Sequence, residues 1–437
     1  MLKNFKIIII SAIFLASGEL SAFNSSSYLI ANTAVKLFDF DKAYPHFEKN
    51  KQDLLYVNSD NHLLTLVHLN LLSEAAELAK NILVNNNDNQ EAWMVSLSHA
   101  KLKNNKKVFS DFEKKFKSQS DLLNFIFYNQ LSEVKSKQSI ARSILEVVQS
   151  SITSEQEKTN YTYVLFYLRV ATFLDPNLNE AYFYSAQIYQ ILKKYELAEN
   201  FYLQISKKHQ LYLESQKSIA INKSKRGLFE EAKNNLLVLI ELYPNDNNLI
   251  IALADLYRTE KKYDKAVLHY SALIDSLDIF SPEYWHLLYM RGICYERSSE
   301  WELAEKDFKK SLKAKPNSPQ VLNYLAYGWL ERDVNLTIAM DMLKEAYRAN
   351  PDSYYILDSL AWAYYKLNNL QKAAELMEEV VIMAPGEAIS LDHLGDIYFA
   401  LKRKREATYF WKQALDLAMP EDKIVENIQK KINENAG

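Results

Sequence analysis

The stretch "LDSLAWAYYKLNNLQKAAELM" (357–377) is followed 34 residues later by one of the same pattern, "LDHLGDIYFALKRKREATYFW" (391–411). The small residues Ala361 and Gly395 occupy equivalent positions in the two stretches. Around them, apolar residues recur three, four and seven positions apart, which is the spacing of one face of an α-helix. Each stretch therefore predicts two amphipathic helices joined by a short polar turn, and the fixed period is typical of a repeat architecture.

The same pattern can be traced through seven frames, which begin at residues 179, 213, 247, 285, 319, 354 and 388. A small residue marks the predicted helix crossing in each frame: Gly395, Ala361, Ala326, Gly292, Ala254, Ala220 and Ala186. A large apolar residue of the second helix is expected to fill the groove beside it: Trp411, Met377, Leu343, Phe308, Tyr270, Leu236 and Tyr202. Because one hairpin cannot bury its own apolar stripe, we expect the hairpins to stack.

This pattern resembles the tetratricopeptide repeat family over residues 179–421. The resemblance implies an all-α fold, namely a right-handed α-solenoid of stacked helical hairpins. It also implies that the first helices line a concave groove, in which proteins of this family commonly bind peptide segments.

The residues on either side of the seven frames are predicted to extend the solenoid. Residues 23–178 are expected to form divergent hairpins of the same type, since "YLIANTAVKLFDFDKAYPHFEK" (28–49) repeats the small and large spacing. Residues 422–437 are expected to form a capping helix and tail. Three isoleucines four positions apart would shield the last repeat there: Ile424, Ile428 and Ile432.

The N-terminal segment "MLKNFKIIIISAIFLASGELSA" (1–22) has the pattern of an export signal. Lys3 and Lys6 precede an apolar run, and small residues follow it, so cleavage is expected after Gly18 or Ala22. The apolar run is about half the ~20 residues that a spanning helix needs. We therefore expect a periplasmic protein with no integral membrane span after cleavage; an uncleaved membrane anchor is the alternative.

The composition argues against several classes of chemistry. The 437 residues include 7 glycines, 1 cysteine and 8 histidines, and the net charge is −3. These glycines form no phosphate-binding loop, and the histidines show no zinc-ligand spacing. Cys294 is expected to be a small buried residue, and the charge gives no reason to expect nucleic-acid binding. We predict no cofactor, no metal, no nucleic-acid partner and no enzymatic activity.

The first helices of the last three frames carry residues outside the packing register. We call eight of them the binding strip: Tyr327, Tyr355, Asp358, Trp362, Tyr365, Asp392, Asp396 and Phe399. If they are exposed and unpaired, the aromatic side chains would supply contact area and the carboxylates would select positive charge. The alternatives are that neighbouring hairpins or the capping helix cover the strip, or that Asp392 and Asp396 form an acid–base pair.

The sequence therefore predicts a non-enzymatic interaction scaffold of the bacterial cell envelope. Its expected partner is a protein or peptide with basic and apolar residues, and peripheral association with the envelope is possible. Two other functions fit the same residues. The protein could be an integral structural subunit of an outer-membrane or cell-wall assembly machine. It could also bind saccharide, since tryptophan and tyrosine beside carboxylates suit sugar rings.

Overall fold

The computed structural model describes residues 25–50, 59–153, 160–419 and 424–434, and these residues are largely α-helical. No β-strand occurs in these ranges, where one isolated antiparallel bridge joins Tyr128 and Val134. The predicted all-α class is thus confirmed. The chain divides into two compact units, Met1–Asn235 and Leu236–Gly437. The predicted export signal, 1–22, lies outside the described residues.

The first unit consists of helices that pair along the chain. Among its described residues the helices are α1 (Ser25–Lys36), α2 (Phe40–Lys49), α3 (Asp60–His68), α4 (Leu72–Asn85), α5 (Gln90–Lys103), α6 (Lys106–Lys115), α7 (Asp121–Phe127), α8 (Lys137–Thr153), α9 (Tyr161–Leu174), α10 (Asn179–Ile191), α11 (Tyr195–Tyr202) and α12 (Tyr212–Lys225). A short 3-10 turn, Lys117–Gln119, precedes α7. The most extensive packing is between α1 and α2, α4 and α5, α8 and α9, and α10 and α11. The next helix, α13 (Phe229–Leu242), contains the boundary between the units.

The second unit repeats one hairpin. Its helices are α14 (Asn247–Thr259), α15 (Tyr263–Ser276), α16 (Tyr284–Arg297), α17 (Trp301–Ala314), α18 (Pro319–Leu330), α19 (Leu336–Ala349), α20 (Tyr354–Lys366), α21 (Leu370–Met383), α22 (Ala388–Ala400), α23 (Lys404–Leu417) and α24 (Ile424–Glu434). Each even-numbered helix from α14 to α22 packs on the helix that follows it. Each second helix from α15 to α21 also packs on the first helix of the next hairpin. The first helices of the seven frames, two of which lie in the first unit, begin within one residue of the predicted frame starts.

The two helices of a hairpin cross so closely that only a small residue fits at the crossing. A Cβ added to Gly395 would lie 2.4 Å from Cδ1 of Trp411, and one added to Gly292 would lie 2.6 Å from Cε1 of Phe308. Both glycines therefore face the large residue that was predicted to fill the groove. A third close approach, between Gly328 and Trp301, joins α18 to the preceding hairpin and was not predicted.

The turn inside each frame contains a residue in the left-handed conformation at one shared position, and the turn of the 319 frame has a second one at Asn335. The shared residue has a φ of 57° at Lys193, 78° at Gly227, 56° at Lys261, 65° at Ser299, 53° at Asp333, 60° at Asn368 and 66° at Lys402. This residue stands fourteen positions after the predicted start of every frame. The backbone geometry of the turn is therefore conserved between frames although most of the residues there have a Cβ.

Two features of the second unit set up the inner surface. The first helix α20 contacts both α18 before it and α22 after it, so the side chains of the three helices form one surface across three hairpins. The helix α24 packs on α23, and Ile428 and Ile432 are buried there with Trp411 and Leu394. The last described helix thus covers the apolar end of the final hairpin, as a capping helix would.

Candidate partner-binding surface

The binding strip lies on α18, α20 and α22, but its residues differ widely in accessibility. Tyr355 is 40% exposed. Asp358, Trp362 and Asp392 are each only 7% exposed. The remaining members of the strip are partly buried: Tyr327, Tyr365, Asp396 and Phe399. The strip is therefore a shallow aromatic surface with three buried members beneath it, and it is less exposed than predicted.

Trp362 is at the centre of an aromatic stack. Its ring lies 4.1 Å from the ring of His393 on α22 and 4.5 Å from Tyr365, and both pairs are nearly parallel. Its indole N–H donates to Oε1 of Glu331 at 2.8 Å. Tyr327 of α18 lies 6.3 Å from His393 on another side. Side chains from three successive first helices thus meet around one imidazole ring.

Asp358 is paired with His393. Nδ1 of the imidazole lies 3.0 Å from Oδ2 of Asp358, and both side chains are buried. Burial lowers the pKa of His393, whereas the charge and hydrogen bond of Asp358 raise it. Asp392 and Glu331 add smaller contributions of the same sign, so the pKa is raised above its ordinary 6.5. The second oxygen of Asp358 has no hydrogen-bond partner among the described residues.

Asp392 and Asp396 share one cation from the capping helix. Nζ of Lys431 lies 2.8 Å from Oδ1 of Asp392 and 2.7 Å from Oδ2 of Asp396. The other oxygen of Asp396 accepts a hydrogen bond from the indole of Trp411 at 3.0 Å. Burial and the neighbouring Asp396 carboxylate raise the pKa of Asp392, and Lys431 opposes this shift. The two acids therefore form a salt-bridge cluster within the fold.

The prediction of exposed, unpaired carboxylates is wrong for Asp358, Asp392 and Asp396. Asp358 is hydrogen-bonded to His393 of the next hairpin, and Asp392 and Asp396 form salt bridges with Lys431 of α24. Trp362 is likewise buried, because the His393 ring covers one of its faces. The alternative that the next hairpin and the capping helix cover part of the strip describes these residues better. Whether the strip binds a partner stays a prediction.

Two tyrosines of the strip remain neutral hydrogen-bonding groups at physiological pH. Burial raises the pKa of Tyr327, and the Glu331 and Asp358 carboxylates raise it further. Burial, followed by the charge of Asp396, raises the pKa of Tyr365. The partly accessible part of the strip thus presents neutral aromatic side chains.

The described residues contain no assembled metal centre. No group of three or more His, Cys, Asp or Glu residues is placed there to hold a metal ion. Cys294 is buried, and burial raises its pKa to about 11, so it is a poor nucleophile at neutral pH. Among the helices described, none is both long and apolar enough to cross a membrane.

The family comparison agrees with this geometry. Residues 251–319, 335–388 and 359–420 match the family model described as tetratricopeptide repeat. The chain therefore contains tetratricopeptide repeats between residues 251 and 420. Proteins built from these repeats generally act as protein-interaction scaffolds, and the relatives are typically non-enzymatic.

The individual relatives match only short segments. A repeat-containing protein of Pseudomonas aeruginosa is 29% identical over 115 residues, which are 26% of this chain and 19% of that protein. The interferon-induced protein with tetratricopeptide repeats 2 of Cricetulus griseus is 31% identical over 116 residues, or 25% of this chain and 24% of that protein. The matches thus span about a fifth to a quarter of the length of these curated relatives.

Two solved structures are similar to the chain. A tetratricopeptide repeat protein from Parabacteroides merdae has a TM-score of 0.45 and 19% identity, and the match covers 59% of this chain and 99% of that one. The Cut9–Hcn1 hetero-tetramer has a TM-score of 0.47 and 16% identity, with coverage of 93% and 83%.

Proposed function

We propose that this protein is a non-enzymatic scaffold that binds a segment of a partner protein on the surface formed by α18, α20 and α22. The observation that carries the proposal is the pair of partly accessible tyrosines, Tyr327 and Tyr365, which pack around the buried rings of Trp362 and His393 and so join three hairpins. Rigid aromatic side chains provide most of the binding energy in many protein interfaces. A surface that is already packed also loses little conformational entropy on binding.

The partner segment is expected to contribute mainly apolar and aromatic side chains. The predicted preference for basic residues rested on free carboxylates, and Asp392 and Asp396 are already paired with Lys431. A basic residue of the partner would have to displace that lysine. We therefore retain the prediction that the partner segment carries apolar residues. Basic residues are expected only in a partner that displaces α24.

We further propose that the protein acts in the bacterial cell envelope. The support is the pattern of residues 1–22: two lysines, an apolar run and small residues before Ala22. Mass spectrometry of the protein from fractionated cells would test this. A periplasmic chain that begins at residue 19 or 23 is expected, and a full-length chain in the cytoplasm would contradict it.

Site-specific photocrosslinking in cells tests the binding surface. A photoreactive residue at Tyr355, which is 40% exposed on α20, is expected to yield a discrete crosslinked partner. The same residue at Tyr409, which is 57% exposed on α23, is the matched control and is expected to yield none. Equal crosslinking at both positions, or crosslinking at Tyr409 alone, would place the interface elsewhere and refute the proposal.

A further inference from the structure

A cavity of about 520 Å³ in the first unit lies apart from the binding strip. Arg169 and Phe173 of α9 line it, together with Tyr182 of α10 and Phe201 of α11. Its size is in the range of small-molecule sites, which hold about 300–1,000 Å³. The cavity combines one cationic side chain with several aromatic rings.

Arg169 has no acidic partner in the described part of the chain. No carboxylate of these residues lies within 4.0 Å of its guanidinium nitrogens, and its buried Nε has no hydrogen-bond partner. The guanidinium carbon lies 5.5 Å from the ring centre of Phe173 and 5.7 Å from that of Phe201. Burial lowers the pKa of Arg169, so its charge is poorly solvated. An uncompensated, partly buried cation is unfavourable unless an anion joins it.

The surroundings of Arg169 indicate the charge and shape of that anion. Among the described residues that line the cavity, Arg169 is the one cation, so it balances a single negative charge. A planar carboxylate matches the fork of donors on a guanidinium, whereas a phosphate dianion would leave excess negative charge near the aromatic walls. The amide side chains of Asn70 and Asn200 at the same cavity can donate further hydrogen bonds to oxygen.

We propose that this cavity binds a small monocarboxylate that carries an apolar or aromatic group. Arg169 holds the carboxylate in a bidentate pair. Phe173 and Phe201 cover the apolar part of the molecule, and their rings also stabilise the guanidinium by cation–π contact. The site is independent of the partner-binding surface, so either assignment can fail without affecting the other.

Isothermal titration calorimetry on the full chain tests the assignment with three probes of similar size. We expect 3-phenylpropionate to bind and the uncharged 3-phenylpropionamide to bind at least about 10-fold more weakly, because a hydrogen-bonded charge pair is lost. We expect 2-phenylethylphosphonate to bind more weakly than the carboxylate. Tighter binding of the phosphonate, equal binding of the amide, or no binding of 3-phenylpropionate by ~10 mM would each overturn the proposal.

Two substitutions link the probe to Arg169. Arg169→Gln is expected to weaken 3-phenylpropionate binding by at least about 10-fold. Arg142→Gln, which removes an exposed arginine of α8, is the matched control and is expected to bind normally. If Arg169→Gln does not fold, Arg169→Lys keeps the charge but not the bidentate geometry, and intermediate binding is expected. Unchanged binding by the folded Arg169 variant would overturn the assignment.

Discussion

His393 of α22 and Asp358 of α20 form a buried ion pair across two successive hairpins, with Nδ1 and Oδ2 3.0 Å apart. The imidazole also stacks on Trp362 at 4.1 Å. One side chain thus neutralises an acid and extends an aromatic stack. Both groups lie between the first helices of two hairpins. The packing of these two hairpins therefore depends on the charge state of the pair.

Stability of the second unit is expected to depend on pH through His393. Its pKa is higher in the folded chain than the ordinary 6.5. The pair therefore contributes fully below about pH 6.5, the ordinary pKa of an unfolded histidine. That contribution is lost as the pH rises through the folded-state pKa. Urea denaturation at several pH values should show a loss of unfolding free energy above pH 6.5 that is absent in His393→Gln.

The partner substitution checks that the effect belongs to the pair. Asp358→Asn is expected to cost about 3 kcal/mol of unfolding free energy below pH 6.5, because it leaves a buried imidazolium without its counter-charge. His286→Gln is a control, since burial lowers the pKa of His286. An unchanged pH profile in both His393→Gln and Asp358→Asn would contradict the assignment.

Lys431 is expected to hold the capping helix in place. Lys431→Met leaves Asp392 and Asp396 without their shared cation and should lower the unfolding free energy by about 2 kcal/mol. Lys430→Met is the matched control: Lys430 is 71% exposed and pairs with Glu434 at 3.8 Å, so less than about 1 kcal/mol is expected. Thermal denaturation of both variants measures the difference, and adding Asp392→Asn to Lys431→Met should restore part of the loss.

The repeat and its packing could be predicted from sequence because they depend on short-range spacing. Gly395 faces Trp411 and Gly292 faces Phe308, as the alternation of small and large residues required. The left-handed residue of each turn is harder to predict from the sequence. Glycine or asparagine marks it at Gly227 and Asn368, but Lys261 and Lys402 adopt the same backbone without any residue preference for it.

The pairing of the binding strip could not be predicted from helical phase alone. The helical spacing places Asp358, Asp392 and Asp396 on one face of the first helices. Their partners, however, come from the next hairpin and from the capping helix. Lys431 lies 39 residues from Asp392 along the chain, and His393 lies 35 residues from Asp358. These separations join Asp358 to the next hairpin and Asp392 to the capping helix, so neither pair can be seen from the helical spacing within one frame.

Gly395 is expected to tolerate no larger residue. Gly395→Ala adds a Cβ that would lie 2.4 Å from Trp411, and the overpacking should cost about 1–3 kcal/mol in spite of the better helix propensity of alanine. Gly386→Ala is the matched control, since an added Cβ there meets no atom within 4 Å. Denaturant titration should show a loss for Gly395→Ala and none for Gly386→Ala. Adding Trp411→Leu to Gly395→Ala should relieve the clash, and two additive losses would contradict this explanation.

The left-handed turn residues offer a way to stabilise the protein without touching either candidate site. Lys402 has a φ of 66°, a conformation that costs about 1 kcal/mol for a residue with a Cβ. Lys402→Gly removes this strain, although glycine also makes the unfolded chain more flexible, so a net gain of about 0.5 kcal/mol is expected. Lys412→Gly makes the same change in charge in the exposed face of α23 and should instead lose about 1 kcal/mol, because glycine disfavours helix. Opposite shifts of the thermal midpoint are therefore expected, and a loss of stability in Lys402→Gly would show that the turn depends on the lysine side chain.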